Sequence, residues 1–369
     1  MARLNADIER LRGISILLVF AQHLPHHLFA WKPSALTVGG YGFWVGVDIF
    51  FAISGFVIAR SLLPDLAGFK DRANLTRTLL AFWLRRAWRL WPAAWLWLLL
   101  PLAAAALYNR SGVFGSVTAN LKATAAGVLQ IANFRLADTF LRSEYGVTEH
   151  YWSLSLEEQF YLALPLAALL FRSKLWLALA ALCAVRVAGG ELASVFRIEG
   201  IAIGVLVAIA IDHPVVRRFR LNALGHPWLR YLVLGCVLGA MVLLGGVARP
   251  YLAQPQPVIT LLCGALVFVA AFDQNCWRLP NVVDRMTLWA GSRSYALYLV
   301  HLPVFYAVRE TLFRLGVKQD ASARYLLSAL AAAATWCAAE ATWRWVEQPA
   351  RSHGRRVAAR IGTKQRRPG

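Results

Sequence analysis

Ten long apolar blocks recur along the chain, and they limit its fold more than any other feature. About 20 helical residues cross a hydrocarbon core about 30 Å thick, and most blocks approach that length. The blocks lie approximately at 13–31, 42–63, 92–108, 151–171, 175–189, 198–211, 228–247, 257–273, 286–308 and 324–346. With 59% hydrophobic and 16% charged residues, the chain is too apolar for a soluble enzyme or a disordered protein. The pattern predicts an all-α, polytopic integral membrane protein with about ten transmembrane helices.

The positive charges predict how these helices are oriented. The formal net charge is +20, and one side of a ten-helix arrangement holds more than twice as many Lys and Arg residues as the other. Because positively charged loops stay in the cytoplasm, we expect both termini there, with membrane lipids rather than nucleic acid as the partner of these charges. The stretch 117–134 carries several polar residues, and an eleventh crossing there would invert every later loop. The stretch 117–134 is therefore interpreted as an interfacial or re-entrant segment.

Two regions are predicted along the chain. Residues 1–350 hold all ten blocks and form a single transmembrane domain. Residues 351–369 hold seven Lys or Arg and no acidic residue, which is typical of a basic cytoplasmic tail that faces lipid or is disordered.

Arg12 and His23 lie at the edge of and within the first block, where ionisable groups are costly and point to function. Eleven helical residues separate them by about 16 Å, which places Arg12 at the cytoplasmic rim and His23 near mid-membrane. A neutral imidazole there could be a general base, or a core histidine that a backbone carbonyl satisfies. His23, His26 and His27 have no carboxylate or thiolate ligand nearby, so no metal site is predicted.

Asp48 lies in the second block, in a segment whose small residues let another helix or a thin ligand approach the backbone. A carboxylate at this depth needs a partner. Two interpretations stay open, namely a structural ion pair or helix cap, and a role in orienting His23 or an incoming group.

Arg85, Arg86 and Arg89 precede the third block together with Trp88 and Trp91. Arg86 and Arg89 are three residues apart on one helical face, so they could clamp phosphate oxygens. Positive-inside anchoring alone explains one or two of these arginines. The combination of arginines and indoles favours the phosphate site.

The segment from Trp152 to Tyr161 opens the next block on the side predicted to be extracytoplasmic. Ser153 is predicted to be a helix N-cap, with Glu157 and Glu158 in or near the first turn. Carboxylates beside aromatic rings are also typical of a sugar-binding site, and local chemistry does not decide between the two.

Arg293, Tyr298 and His301 place polar side chains in the ninth block. Helix termination and hydrogen bonding between helices are both open interpretations of this group.

Taken in order, these segments resemble the membrane-bound acyltransferase-3 family, whose members O-acylate sugars of surface polysaccharides. The resemblance covers roughly residues 5–352. Its motifs are Arg12-x10-His23, Gly46-Val-Asp48-Ile-Phe-Phe-Ala-Ile-Ser54-Gly55-Phe56, Arg86-x2-Arg89 followed by Pro92, Trp152-Ser-Leu-Ser-Leu-Glu157-Glu-Gln-Phe, Ser294-Tyr-Ala-Leu-Tyr-Leu-Val-His301 and Glu347-Gln-Pro349. The chain departs from the family pattern at Arg10, where glycine is common, and at Leu24, where a small residue is common.

The resemblance implies an acyl-coenzyme A donor, usually acetyl-coenzyme A, reached from the cytoplasm, and an acceptor hydroxyl across a bacterial inner membrane. It implies that Arg12 and His23 belong to the functional core and that Arg86 and Arg89 serve the donor. We therefore expect a transmembrane O-acyltransferase, without a metal, that modifies an extracytoplasmic carbohydrate or glycolipid.

Each predicted site residue has an expected role. His23 either takes a proton from the acceptor hydroxyl or carries the acyl group as an acyl-imidazole. Asp48 or Glu157 orients it or binds the acceptor. The expected donor-phosphate ligands are Arg85, Arg86 and Arg89, and the expected acceptor-binding residues are Trp152, Ser153, Tyr161, Tyr298 and His301.

A transporter or flippase of a polysaccharide precursor or small solute is the main alternative, because buried ionisable residues also line ion pathways. Inverted repeats would favour it, and the sequence contains no convincing repeat. A structural subunit of a polysaccharide export complex is a third hypothesis. The identity of the acceptor, the acyl chain length and the oligomeric state are not predicted.

Overall fold

The computed structural model describes residues 5–28, 42–67, 71–140, 142–188, 196–218, 221–246, 255–317 and 324–363. Over these residues the chain is helical and has no strand, which confirms the predicted all-α class there. The α-helices are α1 Ala6–His23, α2 Val45–Ala67, α3 Arg72–Leu107, α4 Val117–Val128, α5 Ala132–Thr139, α6 Tyr151–Phe171, α7 Leu175–Ala188, α8 Ile198–Ile211, α9 Pro214–Arg217, α10 Pro227–Gly245, α11 Gln256–Ala271, α12 Asn281–Ser292, α13 Ser294–Arg314, α14 Arg324–Thr342 and α15 Gln348–Thr363. Short π-helical segments are Leu24–Leu28 and Trp343–Glu347, and short 3₁₀ segments are Arg172–Lys174 and Asn222–Gly225.

Several helices have the length and composition that a membrane crossing requires. Among the described residues four stretches qualify, namely Val45–Ala67, Arg72–Leu107, Tyr151–Val185 and Pro227–Gly245, and α8 and α11 are shorter apolar helices. These stretches support the predicted integral membrane protein. The total of ten crossings and the cytoplasmic position of both termini stay predictions.

Three predicted segments take a more detailed form in the structure. The block 286–308 is not one helix, because α12 ends at Ser292 and α13 begins at Ser294. The stretch 117–134 forms α4, whose 12 residues rise about 18 Å, and the start of α5, so no single helix there reaches the about 30 Å of a crossing. The predicted tail is helical as far as Thr363, since α15 runs through it, and residues 364–369 lie outside the described part.

The helices group into two compact units. Unit 1 contains the described residues within 1–26, 30–60 and 171–294, and unit 2 contains those within 27–29, 61–170 and 295–369.

In unit 1, α1 packs on α12 at two glycines. A Cβ atom added to Gly13 would lie 2.1 Å from the Thr287 carbonyl oxygen, and one added to Gly291 would lie 1.9 Å from the Glu9 carbonyl oxygen. Only glycine permits so close a backbone approach. The packing holds the helix that carries Arg12 and His23.

In unit 2, α15 and the π-helical segment before it run antiparallel along α3. Trp97 Nε1 donates to Thr342 Oγ1 at 3.0 Å. Nearer the start of α3, Trp88 packs against Gly354, and its ring centroid lies 4.3 Å from that of His353. Helix α3 therefore holds its arginine segment, around residue 88, against α15.

Candidate active site

The structure divides the predicted site residues between the two compact units. Unit 1 holds Arg12, His23 and Asp48. Unit 2 holds Arg85, Arg86, Arg89, Trp152, Ser153, Glu157, Tyr161, Tyr298 and His301.

Arg10 ties the start of α1 to the residues around α12. Its Nε and Nη2 atoms donate to the two carboxylate oxygens of Asp284 at 2.8 and 3.0 Å, and its Nη1 atom donates to Asp7 at 2.9 Å. Burial alone would raise the pKa of Asp284, but the hydrogen bonds from Arg10 and the Leu279 amide outweigh it and hold that pKa below its usual value. The departure from the family pattern at Arg10 therefore supplies a structural anchor.

Arg12 lies nearly two turns into the anchored helix, and its side chain is mostly buried. Its Nη1 atom forms an ion pair with Glu9 Oε1 at 2.6 Å, three residues earlier. The pair holds the guanidinium close to the helix surface, on the element that also carries His23.

His23 is the last residue of α1, and its Nδ1 atom lies 2.8 Å from the Val19 carbonyl oxygen. A carbonyl oxygen only accepts hydrogen bonds, so Nδ1 carries the proton of the neutral ring. The lone pair then belongs to Nε2, which is the form a general base or an acyl-accepting imidazole requires.

Asp48 is fully buried on α2 and is held by two side chains. Its Oδ2 atom lies 3.1 Å from Arg197 Nη2, and its Oδ1 atom accepts a hydrogen bond from Gln256 Nε2 at 3.1 Å. Arg197 Nη2 also donates to Gln256 Oε1 at 3.0 Å, which closes the triangle. The structural ion pair considered for Asp48 therefore exists. A role of Asp48 in orienting His23 stays a prediction.

Trp44 connects this ion pair to the end of α1. The guanidinium of Arg197 lies 4.0 Å from the Trp44 ring centroid, a cation–π distance. The backbone amide of Trp44 donates to Gln22 Oε1 at 3.0 Å, next to His23 in sequence. Sequence reasoning missed Arg197 and Trp44. The one available signal was an arginine directly before the apolar run 198–211.

In unit 2, Arg86 lies between two aromatic rings. Its Cζ atom is 5.4 Å from the ring centroid of Tyr161 on α6 and 5.8 Å from that of Phe82 on α3. Glu158 lies within electrostatic reach of the Arg86 guanidinium. The structure therefore brings a predicted donor residue and a predicted acceptor residue, Arg86 and Tyr161, into contact.

Arg89 follows Arg86 on the same face of α3. Its Nε atom is buried and has no hydrogen-bond partner among the residues that the structure describes. A buried donor without a partner is costly, and a bound anion would satisfy it. Arg85, in the turn before, is half-buried.

Tyr295, at the start of α13, lies beside this arginine segment. Its hydroxyl donates to the Leu90 carbonyl oxygen of α3 at 2.7 Å. Glu158 and Glu347 are both within electrostatic reach of the Tyr295 side chain. Tyr295 is therefore near residues of three elements, namely α3, α6 and the π-helical segment before α15.

The predicted acceptor residues Ser153 and Tyr298 are in direct contact. Their hydroxyl oxygens are 2.7 Å apart, and both lie within hydrogen-bond distance of the His150 carbonyl oxygen. The prediction that Ser153 is an N-cap is wrong, because α6 begins at Tyr151 and the Ser153 hydroxyl is directed to α13 instead.

His301 completes this buried polar group. Its Nδ1 atom lies 2.7 Å from the Tyr298 carbonyl oxygen, and its ring centroid is 5.1 Å from that of His150. The structure thus brings Ser153, Tyr298 and His301 together. Trp152 and Glu157 lie half-buried on the same helix as Ser153.

A further cluster in unit 2, not predicted from the sequence, surrounds His27. Its Nδ1 atom lies 2.6 Å from the Tyr306 hydroxyl, and its Nε2 atom lies 3.1 Å from Glu149 Oε1. Arg309 donates to the His27 carbonyl oxygen at 3.0 Å. The described residues contain no group of three metal-ligating side chains, and the side chain of His26 is outside the described part.

Comparison with known families adds to this geometry. A family model described as an acyltransferase domain, Acyl_transf_3, matches residues 5–340. The chain belongs to this acyltransferase family. The predicted resemblance is thereby confirmed, and the matched range includes all the predicted site residues.

Named relatives of the family cover nearly the whole chain. A Listeria monocytogenes protein named peptidoglycan O-acetyltransferase OatA is 26% identical over an alignment of 378 positions, which covers 94% of this chain and 56% of the relative. A Bacillus subtilis protein named putative peptidoglycan O-acetyltransferase YrhL is 26% identical, over 96% of this chain and 56% of the relative. The chain thus spans little more than half the length of these acyltransferases. No solved structure matches it.

Proposed function

We propose that the protein is a transmembrane O-acyltransferase that moves an acetyl group from cytoplasmic acetyl-coenzyme A to a hydroxyl of an extracytoplasmic carbohydrate or glycolipid. Its relatives are named peptidoglycan O-acetyltransferases, which supports a glycan of the cell envelope as the acceptor and a bacterial inner membrane as the location. A longer acyl group on the same coenzyme is compatible with the residues described.

The observation that carries this proposal is the hydrogen bond between His23 Nδ1 and the Val19 carbonyl oxygen at 2.8 Å. It fixes the imidazole in the tautomer whose Nε2 atom is basic. The same histidine completes the Arg12-x10-His23 motif inside the matched family range.

His23 acts on the acceptor in one of two ways. In direct transfer, Nε2 takes the hydroxyl proton while the oxygen attacks the thioester carbonyl, the carbon–sulfur bond breaks, and the coenzyme A thiolate leaves. In the covalent route, Nε2 attacks the thioester carbonyl first, the carbon–sulfur bond breaks and the coenzyme A thiolate leaves. The acceptor oxygen then attacks the acyl-imidazole, the carbon–nitrogen bond breaks, and the hydroxyl proton passes to the released Nε2. The proton that Nδ1 holds toward Val19 stays in place in the direct route.

Donor binding is assigned to the arginine face of α3. Guanidinium groups bind phosphate oxygens through paired N–H donors, and coenzyme A carries a diphosphate and a 3′-phosphate. Arg89 supplies a buried Nε donor, and Arg86 is positioned by Tyr161. Arg85 is the third arginine of this face.

The acceptor is assigned to the buried group on α6 and α13. Ser153, Tyr298 and His301 supply hydroxyl and imidazole groups that can exchange hydrogen bonds with a sugar. Trp152 and Tyr161 supply the aromatic surface, and Glu157 supplies a carboxylate on the same helix as Ser153.

The first experiment is saturable binding of labelled acetyl-coenzyme A to the detergent-purified protein. The Arg86→Ala/Arg89→Ala variant is compared with wild type and with Arg72→Ala/Arg77→Ala, which removes the same charge from the same helix. Binding that the first variant loses and the control keeps supports the donor site. Folded wild type that binds neither acetyl-coenzyme A nor free coenzyme A contradicts the proposal and favours a transporter.

A further inference from the structure

Helix α15 lies beyond residues 5–340, so the family match does not assign it a role. It contains four arginines and no acidic residue. Residues four apart lie one above the other on a helix, so these arginines form two rows. Arg351 and Arg355 form the first row, and Arg356 and Arg360 form the second.

The first row continues from a buried carboxylate. Glu347 is 2% exposed, and its Oε1 atom lies 3.3 Å from Arg351 Nη1. Glu347 is also within electrostatic reach of Tyr295, as is Glu158, and Glu158 in turn lies within reach of Arg86. Tyr295 therefore lies near two carboxylates, one paired with Arg351 of the first row and the other near Arg86 of α3.

The packing of α15 on α3 supports the same placement. Gly354 lies against Trp88, and a Cβ atom added there would be 2.5 Å from the Trp88 Cβ atom. Trp88 directly precedes Arg89, whose Nε atom is buried without a hydrogen-bond partner among the described residues. The unsatisfied donor indicates an anionic ligand on α3, next in sequence to the residue that packs on α15.

We propose that Arg351 and Arg355 form a second wall of the donor site and bind the phosphates of the nucleotide end of acyl-coenzyme A. The inference rests on the proposed function and extends it to a helix outside the family match. One helix face presents its arginines in a single row, whereas the coenzyme distributes phosphates over a diphosphate and a ribose. Arginines from two packed helices can contact both groups.

The second row supplies a matched control. Arg356 and Arg360 are exposed and lie on the same helix, so their removal changes the net charge by the same amount as removal of the first row. Any loss of non-specific electrostatic attraction is therefore shared by the two double variants.

The experiment measures binding of labelled coenzyme A to the full chain in bilayer discs of phosphatidylcholine. We expect Arg351→Gln/Arg355→Gln to weaken binding about tenfold or more, since a lost charge-assisted contact has an effect of that order. We expect Arg356→Gln/Arg360→Gln to change binding less than about twofold. Thermal unfolding of each variant identifies any that fails to fold.

Substitution of Arg351 could lower the stability of the protein, because it leaves the buried Glu347 without this ion pair. Arg355→Gln alone avoids that problem, since Arg355 is exposed and its neighbouring contact is Ser352 at 3.3 Å. We expect this single variant to weaken coenzyme A binding about threefold or more while its melting temperature stays that of wild type.

The outcomes separate the inference from its alternatives. Equal losses in the two double variants, or none in the first, overturn it. A lipid site is tested in discs that contain phosphatidylglycerol, which are compared with phosphatidylcholine discs by the melting temperature of wild type. If phosphatidylglycerol shifts that temperature, and the Arg351→Gln/Arg355→Gln variant loses the shift but binds coenzyme A normally, then the first row binds lipid phosphates. The inference is then wrong. If wild type does not bind coenzyme A, the proposed donor is overturned together with this inference. If wild type binds coenzyme A and the Arg351→Gln/Arg355→Gln variant binds it equally well, only this inference is overturned.

Discussion

His23 Nδ1 lies 2.8 Å from the carbonyl oxygen of Val19, four residues earlier on α1. The acceptor is a backbone carbonyl of the same helix, which continues past His23 as the π-helical segment Leu24–Leu28. The backbone of α1 therefore sets which ring nitrogen of the histidine carries the proton. This arrangement leads to a substitution that separates the structural role of the ring from its chemical role.

His23→Asn should remove catalysis and keep the fold. The amide nitrogen of Asn can donate to the Val19 carbonyl oxygen as Nδ1 does, but the side chain has no basic atom. Loss of a general base lowers the rate by about 10²–10⁴-fold. Transfer of labelled acetyl groups from acetyl-coenzyme A to envelope glycan in membrane vesicles measures the effect.

The control for this variant is His213→Asn, at an exposed histidine before α9, which should retain wild-type transfer. If His23→Asn keeps more than about a tenth of wild-type activity, the histidine is not the base. Equal melting temperatures of the two variants are required for the comparison.

Arg89→Lys should weaken donor binding although it keeps the positive charge. Lysine has no atom equivalent to Nε and offers no planar fork, so it cannot replace the paired donors of a guanidinium. We expect the KM for acetyl-coenzyme A to rise about tenfold with a smaller change in kcat. The control Arg72→Lys, near the exposed start of α3, should leave both constants unchanged. An unaltered KM in Arg89→Lys would remove Arg89 from the donor site.

The sequence predicted local features well because local causes determine them. The block 198–211 coincides with α8, since Arg197 and Asp212 bound the apolar run on both sides. The block 286–308 was predicted as one helix and is two, because three polar residues, Ser292-Arg293-Ser294, are too few to end an apolar block in a hydropathy reading although the helix breaks at Arg293.

The contacts of the site were less predictable. Family motifs selected Arg12, His23 and Arg86, but pairs such as Asp48 with Arg197 and Ser153 with Tyr298 join residues far apart in sequence. Such pairs are fixed by helix packing, and periodicity within one segment does not reveal its neighbour. For the same reason α15 was predicted only as a basic tail.

Asp48→Asn should destabilise the protein strongly. Asp48 is fully buried and Arg197 is 9% exposed, so neutralising the carboxylate leaves a buried guanidinium without its counter-charge. Breaking a buried ion pair on one side costs about 3–5 kcal/mol. Thermal unfolding in detergent measures the loss as a lowered midpoint.

The surface pair Arg60 and Asp212 is the comparison for that loss. Its partners are 45% and 47% exposed, and an exposed ion pair contributes about 0–1 kcal/mol. Arg60→Gln should therefore shift the midpoint much less than Asp48→Asn. Equal shifts in the two variants would show that burial does not strengthen the Asp48 pair.

Gly291→Ala should separate α1 from α12 and reduce activity indirectly. The added Cβ atom would lie 1.9 Å from the Glu9 carbonyl oxygen, which is backbone and can give way only if the two helices move apart. We expect a lower melting temperature because the packing of α1 on α12 is lost. Arg12 and His23 belong to α1, so we also expect reduced acetyl transfer. The control is Gly235→Ala on α10, where no atom lies within 4 Å of the added Cβ and alanine favours the helix, so stability should stay equal or rise slightly. A Gly291→Ala variant as stable and active as Gly235→Ala would contradict the close packing of α1 on α12.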